Sequence, residues 1–214
     1  MKIRTMLATL ATTSLLAAGA ALPAQASGSS EPLGNQSLAA VLTSDGNQFD
    51  NNAGDFDILT EAVLAVLAAK PDSQVKVLTD GNVPLTAFAP TDLSFRLLAK
   101  DLTGRFQWSE RQTFQTLVDA VGVDAIEQVL LYHVIPGATI DSRTALRSDN
   151  AALTTAQGGK VTVDVLAPRL GIVQLRDADR NDIDPFLQPG KLDINKGNKQ
   201  IAHGIFLVLR PLDL

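Results

Sequence analysis

The 214-residue chain has no cysteine, one tryptophan, one tyrosine and two histidines, and each shortage removes a class of chemistry. Without a thiol there is no disulfide framework, thiolate metal centre, cysteine nucleophile or lipoprotein attachment point, so stability must come from packing. One tryptophan and one tyrosine poorly supply a sugar cleft lined by aromatic platforms. No Gly-x-Ser-x-Gly nucleophile elbow is present, and Gly158-Gly159-Lys160 lacks phosphate-loop spacing and reads as a tight turn. The formal charge of −5 and the lack of any basic run argue against nucleic acid, whose phosphates are bound through clustered Lys and Arg. Paired carboxylates, which need no sequence signature, keep a polysaccharide or ester hydrolase open as a minor alternative.

Long apolar runs are also scarce, with one exception at the start. Lys2 and Arg4 precede the uncharged stretch from Thr5 to Leu22, and Ala24-Gln25-Ala26 follows. This is the pattern of a cleaved signal peptide over residues 1–26, which implies export and no stable membrane insertion afterwards. Removing 26 of 214 residues leaves 188 and, with Lys2 and Arg4 gone, a charge of −7. Such a length suits one domain with an adequate core. The Ser-, Gly- and Pro-containing residues 27–36 read as a flexible leader, and 37–214 as the domain.

Helices dominate the first half of that domain. Ser37 can cap a short helix over Leu38 to Leu42, and the polar 43–55 is a loop. Leu59, Ala62, Val63, Val66 and Leu67 line one face of a helix that Pro71 stops. Ser109 to Gln112 forms a capping box, and Asp124 to Glu127 a similar acidic start before Val129 and Leu130. Strand patterns follow over 151–155, 160–165, 171–176, 191–194 and 205–209. Segregated helices and strands predict an α+β fold, with an early strand at Leu85 to Ala89 joining the later sheet.

That early strand belongs to the most informative stretch. Pro90 cannot continue a ladder, Thr91 suits an N-cap, Asp92 favours the first turn, and Phe95, Leu98, Ala99 and Leu102 recur at helical spacing. Thr86, Phe88, Ala89, Pro90, Thr91, Asp92 and Phe95 together resemble the first signature box of fasciclin (FAS1) domains. Leu130 to Gly137, with Tyr132-His133 at its centre, resembles the family's Tyr-His segment, and Ile201 to Pro211 its second box. The chain is therefore similar to fasciclin-type domains from about Ser37 to Pro211. The resemblance implies a wedge of two small β-sheets with helices on one side. It also implies a secreted, non-catalytic binding or adhesion module without a cofactor, acting as a monomer on a cell-surface or matrix protein or polysaccharide. In that reading the protein is extracellular, periplasmic or held at the cell envelope. The alternative is an extracellular carrier or scaffold for a small apolar ligand between helices and sheet.

Among individual residues, Ile126, Val129 and Leu130 precede His133 at helical spacing, so this histidine points inward as a hydrogen-bonded core residue. Tyr132 then faces elsewhere and is more exposed. The resemblance makes Tyr132 and His133 the candidate interaction site. In the second box, His203 is followed by Gly204, Ile205 and Phe206, where the family has Asp in place of the phenylalanine. Finally, Asp177-Ala-Asp179-Arg-Asn181-Asp182 begins like a calcium loop, but Asp182 stands where glycine is needed and Gln188 where a bidentate glutamate should be, so it reads as an acidic solvated loop with no metal assigned, a weak extracellular calcium site being the alternative.

Overall fold

The computed structural model describes residues 32–44, 46, 48–50 and 52–212; the signal segment expected over 1–26 and residues 27–31 of the leader lie outside these. Five α-helices and seven strands are present among the described residues. The helices are α1 (Leu38–Leu42), α2 (Asp57–Ala69), α3 (Asp92–Thr103), α4 (Glu110–Tyr132) and α5 (Ser142–Ala145). The strands are β1 (Leu85–Pro90), β2 (Val134–Pro136), β3 (Ala152–Thr154), β4 (Lys160–Ala167), β5 (Ile172–Arg176), β6 (Phe186–Leu187) and β7 (Gln200–Phe206). The fold is α+β, with helices first and most of the strands after.

The expected pair of small sheets is one continuous ladder, ordered β2-β1-β7-β6-β5-β4-β3. Its waist explains the difference. β6 is two residues long, meeting β5 through Gln174–Phe186 and β7 through Phe186–Phe206 and Leu187–Ile205. The core divides between the two faces of the β2-β1-β7 half: Ile58, Val66, Leu85, Ala99 and Leu130 pack on the helix side, while Phe88, Ile135 and Ile205 join Val161, Val173, Leu175, Leu209 and Tyr132 on the other. Fully burying each Val, Leu or Ile side chain among them stabilises the fold by about 1.5–3 kcal/mol.

β4 and β5 alternate, burying Val161 and Val163, Val173 and Leu175, so one face of this half meets the core. β7 behaves differently, being buried at six successive positions because it is a central strand. It pairs in parallel with β1 from Leu85–Gln200 to Pro90–Ile205. The strand expected over 205–209 thus starts at Gln200, and its polar residues are satisfied individually. Gln200 is wholly buried; it accepts from the Leu38 N–H at 2.8 Å and donates to the carbonyls of Val77 and Asp80, each at 2.8 Å. Gly204 is required sterically, since an added Cβ would lie 2.5 Å from the Lys191 Cβ. The strand expected over 191–194 reduces to a 3₁₀ turn over Pro189–Lys191 and one bridge, Ile194 to Ala202.

Two local expectations change in the first half. The leader is tied down before residue 36: Gly34 donates to Gly197 O at 2.8 Å and accepts from Lys199 N at 3.0 Å, and the Asn195 side chain donates to Gln36 O. The helix starts are also held less locally than the capping patterns imply. Thr91 is the N-cap of α3, but its hydroxyl meets Ser94 Oγ and makes no capping bond. Ser109 likewise caps α4 without a side-chain bond. The two helices expected from the separate start signals are present: α4 is two helical segments joined at Gly122, whose φ 77° and ψ 166° are non-helical and suit glycine.

Candidate functional site

Tyr132 ends α4 and His133 caps it, leading straight into β2. His133 points inward as expected and is 4 % exposed. The Leu209 N–H donates to its Nε2 at 2.9 Å, which fixes the proton on Nδ1, and Nδ1 donates to Val129 O at 2.7 Å. Burial lowers its pKa to about 4. Tyr132, by contrast, is not exposed: only 1 % of it reaches solvent. The 155–159 turn covers it, with Gly159 so close that a Cβ there would lie 2.8 Å from the tyrosine ring. Its hydroxyl donates to Lys160 O at 2.7 Å, and burial pushes its pKa up to about 12. Neither side chain reaches a surface where a partner could touch it. Their geometry is that of a clamp between α4, the β3–β4 turn and the chain after β7.

His203 is similarly engaged. Asp193 N donates to its Nδ1 at 3.2 Å, so the proton is on Nε2, which donates to Ile140 O at 2.8 Å. Burial lowers its pKa. Both histidines are thus held neutral, in opposite tautomers, with both ring nitrogens bonded to backbone. The acidic loop after β5 is organised by a protein cation. Arg210 reaches Asp179 at 3.2 Å, Asp101 at 2.7 Å and also Asp182, while Asp177 accepts from the Arg210 and Asp179 N–H groups.

A second acidic group lies at the ends of three helices, and sequence reading did not bring its members together. Asp55 precedes α2, Asp92 opens α3 and Glu110 opens α4; one oxygen from each lies within 4.8 Å of the other two. Asp92 is wholly buried, and its Oδ1 accepts from Ile58 N at 2.9 Å, supplying to α2 the cap that α2's own N-cap residue lacks. Burial, together with the facing Asp55 carboxyl, raises the Asp92 pKa to about 8. Glu110, also wholly buried, accepts from Arg96 at 2.8 Å and Asp50 N at 2.6 Å; burial nonetheless raises its pKa. Asp92 and Glu110 each read alone as ordinary first-turn charges favoured by the helix dipole, and Asp55 as the end of a polar loop, which is why the sequence concealed the cluster.

Beside it lies an apolar cavity of about 190 Å³ between α2, α3, α4 and the residues after β7. Leu59, Ala62, Phe95, Phe114 and Val129 line it, with Pro90 and His133 on one wall and the half-exposed Leu212 at the rim. A lining this apolar, with only Gln128 and the already bonded His133 carrying polar side-chain atoms, stays dry or takes a small hydrophobic guest. Polar groups that would fix a substrate for reaction do not converge there.

The fasciclin domain model matches residues 59–181. A solved structure of a FAS1 domain pair from the insect cell adhesion molecule fasciclin I is similar, at 15 % identity and a TM-score of 0.49, covering 71 % of this chain and 46 % of that one. The chain therefore spans about half the length of that structure. No curated protein matches.

Proposed function

This chain belongs to the fasciclin domain family, and from that premise we propose that it is a secreted, non-catalytic binding module that adheres to a cell-surface or matrix protein or polysaccharide. The family match over residues 59–181 carries this reading. The histidines favour it as well, since both are neutral and fully engaged with backbone groups, so neither is free to move a proton at a substrate. No helix among the described residues is long and apolar enough to cross a membrane. In this reading it works as a monomer, in the medium or at the envelope.

With Tyr132 and His133 enclosed, the adhesive surface is better sought elsewhere. The tip of the β4–β5 hairpin exposes Leu166 at 53 %, Leu170 at 74 % and Ile172 at 36 % within seven residues of chain, a small apolar group close together in sequence. Saturable binding of the purified protein to immobilised matrix proteins or envelope polysaccharides, weakened at least tenfold by Leu170→Asp with Ile172→Asp, is the expected result. Absence of saturable binding to any of them counts against an adhesive role, and equal binding by the double variant moves the surface away from this tip.

The apolar cavity favours one further reading, an extracellular carrier for a small hydrophobic molecule. At about 190 Å³ it falls below the usual 300–1,000 Å³ of ligand pockets, which points to a guest near the size of one aromatic ring. Native mass spectrometry of the protein with and without added benzene-sized ligands tests it.

A further inference from the structure

The buried acids at the helix starts lack enough positive charge. Asp55, Asp92 and Glu110 together carry three negative charges when ionised, and Arg96, paired with Glu110, supplies one positive charge, leaving two uncompensated. Ile58 N bonds Asp92 Oδ1, and Asp50 N and the Arg96 terminal nitrogen bond Glu110, while Arg96 Nε is buried without a partner. That leaves Asp92 Oδ2 and Asp55 Oδ1 buried with no hydrogen-bond partner, although Asp92 is 0 % exposed. Two acceptor oxygens facing each other out of water are costly unless a cation or proton lies between them.

We infer that Asp55, Asp92 and Glu110 form a binding site for one divalent hard cation of the calcium class. The donor set is all oxygen, which suits calcium or magnesium and disfavours softer metals. The mutual spacing within 4.8 Å fits three oxygens around one ion, because calcium–oxygen distances of about 2.3–2.6 Å put ligands on opposite sides of the ion at about twice that separation. Calcium is favoured over magnesium for a physical reason. Asp92 and Glu110 are fixed on separate helices, so the ion must accept their geometry, and calcium tolerates irregular coordination where magnesium demands an octahedron. With Asp50 and Asp57 also close to Asp55, one doubly charged ion offsets more of the local negative charge than one proton does. The ion would clasp the starts of α2, α3 and α4, which form the wall of the apolar cavity. This site is independent of the adhesive reading and survives or fails separately from it.

Calorimetric titration of chelator-treated protein with CaCl₂, and separately with MgCl₂, tests the site alongside thermal unfolding. One calcium per chain is expected at a Kd of about 0.1–1 mM or tighter, with magnesium weaker. At calcium near 100 times Kd, the melting temperature should rise by about 5 °C or more. Asp92→Asn should weaken calcium binding at least tenfold, and Asp55→Asn, at a half-buried loop position, gives the same readout if the first variant folds poorly. The proposal is overturned if the wild type shows neither heat nor a melting shift at 10 mM calcium, the outcome expected if the carboxyls merely share a proton. It is equally overturned if Asp55→Asn binds calcium like the wild type while Asp179→Asn does not, since the ion would then belong to the 177–184 loop.

Discussion

Acidification should destabilise this protein in part through His133, and one substitution isolates that part. The ring is 4 % exposed, donates from Nδ1 to Val129 O at 2.7 Å, and accepts from Leu209 N at 2.9 Å. Protonating Nε2 would set two donors against each other in a buried place. Burial accordingly holds the folded pKa at about 4, against 6.5 for the ordinary group. Because the folded value is depressed, the contribution is complete above pH 6.5 and is lost as the pH falls toward and through about 4. A gap of about 2.5 units, at about 1.4 kcal/mol each, makes the whole contribution about 3 kcal/mol, with about 2 kcal/mol lost by pH 4.5. His133→Gln retains a side-chain acceptor for Leu209 N and cannot titrate in this range. Asp92 and Asp177, raised to about 8 and about 6, act with the opposite sign, favouring the fold as they gain protons. Both remain in the variant, so they cancel in the difference. Urea unfolding at pH 7, 5.5 and 4.5 should show the wild type's advantage over His133→Gln shrinking by about 2 kcal/mol across that span. Parallel pH profiles for the two proteins would refute the assignment.

Tyr132→Phe should cost about 1 kcal/mol through the lost bond to Lys160 O, and Tyr132→Ala about 3–5 kcal/mol through the void left behind, both measured by denaturant unfolding. A folded Tyr132→Phe should bind any partner as the wild type does. Gly81→Ala should destabilise by about 1–3 kcal/mol, because its Cβ would lie 1.7 Å from Asn35 O; Gly190→Ala, which meets nothing within 4 Å, should leave the melting temperature nearly unchanged.

How much of this was legible in the chain depended on whether a residue's partners were near it in sequence. The faces of α2 and α3, and the alternation in β4 and β5, were readable because 3.6- and 2-residue periods record burial locally. The start of β7 was not, because a strand buried on both faces has no alternation. Its Gln200 and His203 are tolerated only through partners more than fifty residues away, at Leu38, Val77 and Ile140. Tyr132 was misjudged for a related reason. Helical spacing correctly turned His133 inward, but α4 ends at Tyr132, and the 155–159 turn closes over the tyrosine from another part of the chain.

The same distinction bears on the Pro90-Thr91-Asp92 junction, which identified the family and was read as a local device for turning a strand into a helix. Pro90 does end β1, but it also lines the apolar cavity. Asp92 does sit in the first turn of α3, but its carboxylate caps α2 and faces Asp55. One junction therefore joins three helix starts, a cavity wall and the central β1–β7 pair. Substituting Asp92 should consequently perturb α2 as well as its own helix, a coupling that a purely local capping role does not produce. The residues that reveal the family in this sequence are thus also those through which its candidate sites are built.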